Sequence, residues 1–205
     1  MTKIKLCGLR RPQDIEVANA LLPDYVGFVF AESSRRYVRD EDVLDLKEYL
    51  DPTISTVGVF VDETPERVAW LLNSGLIDIA QLHGSENMAY LHKLREMTDK
   101  PIWKAFTMED LESTFLAKQS IADMVVLDSG GGGTGTIFNW QLLEHVDRPY
   151  FLAGGLTPEN IRDTVKMLEP YGVDVSSGIE TGGKKDPKKM EAFVREVRRA
   201  SGAGV

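Results

Sequence analysis

The chain has 205 residues, 42% hydrophobic and 27% charged, the make-up of an ordinary soluble globular protein of one domain or, less readily, two. A net charge of -8 and a pI near 5.0 argue against a nucleic-acid partner and against an anionic membrane surface. The one cysteine, Cys7, has no partner for an internal disulfide, and with no bilayer-length apolar run and no basic-then-apolar leader the sequence points to a reducing cytoplasm.

Taken from the N-terminus, the chain repeats one pattern. Apolar, β-branched runs at 4–6, 25–30, 56–61, 78–82, 101–106, 124–127, 150–153 and 173–175 read as strands. The stretches between and after them, 12–22, 41–50, 65–73, 86–97, 109–119, 139–145, 158–168 and 187–199, read as helices. Three of these open with a first-turn proline behind a capping side chain, at Thr64-Pro65, Thr157-Pro158 and Asp186-Pro187. Strand-helix alternation at roughly 25 residues per unit fills the chain, which is the arithmetic of a small α/β protein with a single (β/α)8 TIM barrel over 1–205. A doubly wound open sheet needs fewer strands or a second domain, and no linker marks one. The last residues, from about 200, read as a frayed tail.

The run at 124–127 ends in Asp128 and opens into a glycine-rich loop at 130–135. Gly130, Gly132 and Gly135 satisfy G-x-G-x-x-G, but the next strand ends in Gly154 and Gly155 where a dinucleotide fold needs an acid. Thr136 follows Gly135 where a P-loop needs lysine. The loop therefore reads as mobile or as backbone presented to another kind of ligand.

In a barrel the C-terminal strand ends converge on one mouth. Here they place Cys7, Phe30, Ser33, Ser34, Arg35, Arg36, Asp62, Gln81, His83, Phe106, Asp128, Gly154, Gly155, Asp174, Ser176, Ser177 and Gly178 around it. Cys7 is a candidate nucleophile or general base, with a small buried core residue as the competing reading. Asp128 is the matching acid or a loop cap. Glycines after the seventh strand and Ser177-Gly178 after the eighth stand where barrels gather backbone N–H groups around a phosphate. Arg36 suits a carboxylate clamp or a solvated surface, and His83 suits catalysis or structure equally. His92 and His145 lie too far along the chain to share a metal with His83, so no metal is expected.

These residues also carry a resemblance. Lys5-Leu6-Cys7-Gly8-Leu9, Val26-Gly27-Phe28-Val29-Phe30, Ser34-Arg35-Arg36-Tyr37-Val38, Val57-Gly58-Val59-Phe60-Val61, Gln81-Leu82-His83-Gly84, the 127–140 stretch, Ala153-Gly154-Gly155-Leu156 and Asp174-Val175-Ser176-Ser177-Gly178 resemble phosphoribosylanthranilate isomerases in order and spacing. The resemblance implies the Amadori rearrangement of the phosphosugar N-(5-phosphoribosyl)anthranilate to 1-(2-carboxyphenylamino)-1-deoxyribulose 5-phosphate, a step of tryptophan biosynthesis that needs no cofactor. It further implies Asp128 as acid and Cys7 as base, Arg36 on the anthranilate carboxylate, His83 and Asp174 beside the substrate, and the backbone at Gly154, Gly155, Ser177 and Gly178 on the phosphate. Thr136-Ile137 departs from the family's Lys-Thr, which bears on the loop's order and charge. The related aminoaldose isomerase of histidine synthesis looks for an aspartate where Cys7 stands, and a non-catalytic binding protein on a degenerate barrel is expected to lose Cys7 or Asp128.

Overall fold

The structure, a computed structural model, describes residues 1–129, 143 and 146–202. Strands β1 (Lys3–Cys7), β2 (Tyr25–Val29), β3 (Ser55–Phe60) and β4 (Ile79–Leu82) are followed by β5 (Ile102–Thr107), β6 (Met124–Asp128), β7 (Tyr150–Ala153) and β8 (Gly172–Val175). Each pairs in parallel with the next, and β8 pairs back onto β1 with Lys5 opposite Asp174, closing the expected eight-stranded barrel. Outside it lie α1 (Pro12–Leu21), α2 (Asp40–Glu48), α3 (Pro65–Asn73), α4 (Met88–Arg95), α5 (Leu111–Gln119), α6 (Ile161–Leu168) and α7 (Pro187–Ala200). The helix expected at 139–145 and the glycine-rich loop fall outside the described residues, Leu143 apart.

Strand alternation sorts the core into two layers. Val26, Phe28, Leu82, Leu127, Leu152 and Val173 face outward and pack with the helices. Val57, Ile79, Trp103, Ala105, Val126, Phe151 and Ala153 face inward and fill the barrel. At its N-terminal end Trp103 stacks on Phe151 with ring centroids 4.6 Å apart, and Tyr25 meets both rings edge-on. Gly172 sits against the Phe151 ring, so any Cβ there would collide with it. Above this floor the interior changes character, because Lys5, Gln81 and Asp174 are buried among the strands just below the mouth.

The helix starts follow the expected chemistry at two of the three proline sites. Thr64 Oγ1 accepts from the Arg67 amide ahead of α3, and Asp186 Oδ1 accepts from the Lys188 and Lys189 amides ahead of α7. The third departs. Thr157-Pro158 forms a turn instead, and α6 begins only at Ile161. Thr157 Oγ1 still accepts from the Glu159 amide, while Asn160 Oδ1 accepts from the Thr157 amide and its Nδ2 donates to the Gly155 carbonyl, so the side chain ties the turn to the Gly154-Gly155 pair. At the far end α7 continues to Ala200, and Ser201, in the stretch expected to fray, accepts from the Thr2 amide and donates to the Val197 carbonyl. After β8 a short 3-10 turn (Ser177–Ile179) leads into a small antiparallel hairpin, β9 (Glu180–Thr181) and β10 (Lys184–Lys185), which the sequence patterns did not suggest.

Candidate active site

The mouth of the barrel holds a cavity of about 450 Å³. Cys7, Arg36, His83, Asp128, Gly154, Gly155, Asp174, Ser177 and Gly178 all line it, so every candidate site residue meets in one place. Four residues on the wider mouth list do not, among them Arg35, whose exposed side chain pairs with Glu180 instead. Phe30 and Phe106 have the outward parity of their strands and pack into the helix layer, Phe30 stacking on Phe60. Asp62 turns aside at φ 53° and accepts from the Ser85 amide and hydroxyl.

Cys7 ends β1 and is buried. Its thiol packs against Gly27 on β2, where an added Cβ would sit 2.7 Å from Sγ and 3.1 Å from Lys5 Nζ. A bare backbone at 27 thus makes room for the thiol and the ammonium together. Lys5, two residues before Cys7 and on the same inward face, is fully buried and donates to Asp174 Oδ2 at 2.9 Å. Burial works against the Lys5 ammonium, but the charge of Asp174 and the neighbouring Cys7 outweigh it and raise its pKa above the ordinary lysine value. For Cys7 burial is the largest influence and pushes the thiol up, with Lys5 and Lys185 opposing and Asp174 reinforcing it. Asp174 Oδ1 is buried without a hydrogen-bond partner among the described residues.

Asp128 ends β6. Gly154, at φ 84°, lies against it, and a Cβ there would come within 2.6 Å of Asp128 Oδ1. His83 Nε2 stands 3.4 Å from Asp128 Oδ2. The Gln81 amide Nε2 lies 3.2 Å from His83 Nδ1, so the ring is held between the amide of β4 and the carboxylate of β6. The loop that carries His83 is pinned from beneath. Buried Glu86 accepts from the Gly84 and Asp62 amides and from Lys104 Nζ, which also donates to the Gly84 carbonyl.

Next to Asp128 along the rim, Gly154 and Gly155 both have left-handed φ angles, and no described backbone carbonyl accepts from their N–H groups. Gly178 abuts the Leu156 carbonyl so closely that no side chain fits, which brings the loops after β7 and β8 into contact at the cavity wall. Ser176 Oγ donates to the Cys7 carbonyl, and Lys185 Nζ donates to the Ser176 carbonyl and to Glu180 Oε1. Lys5, Glu180 and Lys185 escaped the sequence reading. For Lys5 a signal existed, a charge inside an apolar run at the parity of Cys7. For Glu180 and Lys185 none did, because a Gly-Gly turn in a charged stretch looks like solvated loop.

Among the described residues no group of three or more His, Cys, Asp or Glu side chains is placed to hold a metal ion, and no helix is long and apolar enough to cross a membrane.

Comparison with known proteins agrees with this geometry. The family model described as N-(5'phosphoribosyl)anthranilate (PRA) isomerase matches residues 4–196. The N-(5'-phosphoribosyl)anthranilate isomerase of Thermoanaerobacter pseudethanolicus is 44% identical over 204 residues, covering 97% of this chain and 98% of its own. The crystal structure of phosphoribosyl anthranilate isomerase from Thermotoga maritima superposes with a TM-score of 0.86 at 31% identity, covering 97% of this chain and 100% of that one. A phosphoribosyl anthranilate isomerase in complex with reduced 1-(o-carboxyphenylamino)-1-deoxyribulose 5-phosphate superposes with a TM-score of 0.84 at 30% identity, covering 97% of this chain and 100% of that one. A closed parallel barrel, a mouth that gathers the family's motifs, and similarity along nearly the whole chain establish that this protein belongs to the N-(5'-phosphoribosyl)anthranilate isomerase family.

Proposed function

We propose that Cys7 and Asp128 work as the base and acid of the family's reaction, facing one another across the same cavity. As a member of the family the chain is an isomerase of tryptophan biosynthesis, converting N-(5-phosphoribosyl)anthranilate to 1-(2-carboxyphenylamino)-1-deoxyribulose 5-phosphate. The observation that carries the residue assignment is that a thiol and a carboxyl, on β1 and β6, line one cavity with the bare glycine backbone of the β7 and β8 loops between them. Asp128 gives its proton to the furanose oxygen as the C1–O bond breaks, leaving a Schiff base. Cys7 then takes the proton from C2, and the enolamine tautomerises to the ketone. Arg36 holds the anthranilate carboxylate, the amides of Gly154, Gly155, Ser177 and Gly178 take the phosphate, and His83 and the unsatisfied Asp174 oxygen lie beside the sugar. Loss of phosphoribosylanthranilate fluorescence on addition of the purified protein tests the whole reading, and no loss at catalytic protein concentration would sink it.

Lys5 is the cationic support of the base. Because the thiol is already pushed up by burial, removing the ammonium opposing that shift raises it further. A base must be unprotonated to act, so activity is gained with rising pH, and Lys5→Met moves this rise to higher pH. Below the thiol pKa the rate falls about tenfold per pH unit. The pH dependence of iodoacetamide alkylation reads the same group independently of turnover, since Cys7 is the one cysteine. An alkylation profile identical in Lys5→Met and parent would remove Lys5 from this role.

The phosphate reading makes Gly178 more sensitive than Gly155. A methyl group at 178 meets the Leu156 carbonyl and must part the two loops, whereas at 155 it meets little beyond its own left-handed φ. Gly178→Ala is expected to raise KM about tenfold or more, the equivalent of roughly one charge-assisted hydrogen bond, and a dephosphorylated analogue is expected not to distinguish mutant from parent. Unchanged KM would place the phosphate elsewhere.

A further inference from the structure

Arg36 does not reach the cavity as a loose side chain. Its Nε donates to Glu180 Oε1 at 2.6 Å and its Nη2 to Glu180 Oε2 at 3.0 Å, a fork across one edge of the guanidinium. Its stem lies over Gly8, where a Cβ would sit 2.5 Å from Arg36 Cδ. Glu180 is itself nearly sealed, with 6% of its side chain exposed, and takes further hydrogen bonds from Lys185 at 2.7 Å and Arg35 at 3.1 Å. Burial works against this carboxylate, yet the hydrogen bonds from Arg36 and Lys185 outweigh it and hold its pKa down at about 2, so it stays charged at any working pH. Among the described residues no group accepts from Arg36 Nη1, and Arg36 lines the cavity.

A guanidinium has two edges able to fork a carboxylate. We propose that Glu180, from the hairpin after β8, is a positioning residue that occupies the Nε–Nη2 edge of Arg36 and so presents the Nη1 end to the ortho-carboxylate of the substrate. The inference rests on the reading of Arg36 as the carboxylate clamp. It also accounts for the charge balance, since Arg35, Arg36 and Lys185 surround a single acid and leave an excess of positive charge beside a cavity that takes a carboxylate and a phosphate. Specificity for an anthranilate-bearing ligand then depends on a residue that never touches it.

The test compares dissociation constants for two ligands, reduced 1-(o-carboxyphenylamino)-1-deoxyribulose 5-phosphate and its phenylamino counterpart without the carboxylate. Glu180→Gln keeps the shape but turns an amide N–H toward one guanidinium N–H. It is expected to cut the preference for the carboxylate ligand about tenfold, with binding of the carboxylate-free ligand held within about twofold. On an Arg36→Met background Glu180→Gln is expected to change nothing more. If Arg36→Met removes the preference and Glu180→Gln leaves it intact, the positioning role is wrong and the clamp stands. If Arg36→Met keeps the preference, the clamp itself is wrong. Equal weakening of both ligands by Glu180→Gln marks a mere structural strut and overturns the proposal. Should Glu180→Gln fail to fold, Glu180→Asp keeps the charge but withdraws it by one methylene, and full preference in that variant counts against the proposal equally.

Discussion

Asp128→Asn is expected to fold as the parent does, to bind the reduced product ligand with little change, and to lose about 10²- to 10⁴-fold in kcat, the worth of a positioned acid. Asparagine keeps the planar shape beside Gly154 and the His83 ring, so the packing at the end of β6 has no reason to shift. What it lacks is a proton to give to the departing ring oxygen. Loss concentrated in kcat, with KM nearly constant, identifies an interaction made in the transition state. A residual rate above about a tenth of the parent's would return Asp128 to the role of a loop cap. Comparing the variant with His83→Gln separates the acid from the ring that faces it, because an orienting partner costs less than the group that transfers the proton.

Cys7→Ser is expected to cost at least about 10²-fold in kcat with small change in affinity. The hydroxyl fits the niche against Gly27 and remains beside Lys5, but it is far too weak a base to take a proton from C2. Cys7→Asp supplies a base with no thiolate chemistry and is expected to retain part of the activity, limited by the crowding at Gly27 and by the proximity of Asp174. The reaction moves a proton within one molecule, so intact mass during turnover is expected to show no adduct on Cys7. A persistent adduct, or near-normal turnover by Cys7→Ser, would overturn the assignment of the base.

The barrel was legible because its signal is periodic. Apolar runs ending in Cys7, His83, Asp128 or the Gly154-Gly155 pair recur at a spacing that only one closed architecture absorbs. Parity along each strand would also have removed Phe30 and Phe106 from the mouth, since each is one residue out of step with an inward neighbour, Val29 or Thr107. The buried cations were not legible in the same way. Lys5, Lys104 and Lys185 are the residue type most at home in water, and they are buried here beside acids that only the fold supplies, Lys5 with Asp174 across 169 positions, Lys104 with Glu86 across 18, and Lys185 with Glu180 across the unforeseen hairpin. The start of α6 was misread for a different reason. Thr157-Pro158 carries the usual signature and Thr157 Oγ1 does accept from the Glu159 amide, but Asn160 binds the Thr157 amide and the Gly155 carbonyl, and the regular helix starts only after the turn these contacts hold.

The pairing of β1 with β8 has a consequence for how activity is acquired. Lys5 and Cys7 are among the first residues of the chain and Asp174 and Ser176 are near its end, yet they meet along that one seam. A contact of such sequence separation forms late, after loop-closure entropy has been met by the strands between. A partly assembled barrel, with its inner strands already collapsed, therefore has a Lys5 ammonium with no counter-ion and no closed mouth to hold a substrate against the Cys7 thiol. Regain of turnover during refolding is accordingly a clock for the closing of this seam, running behind any signal that reports collapse alone.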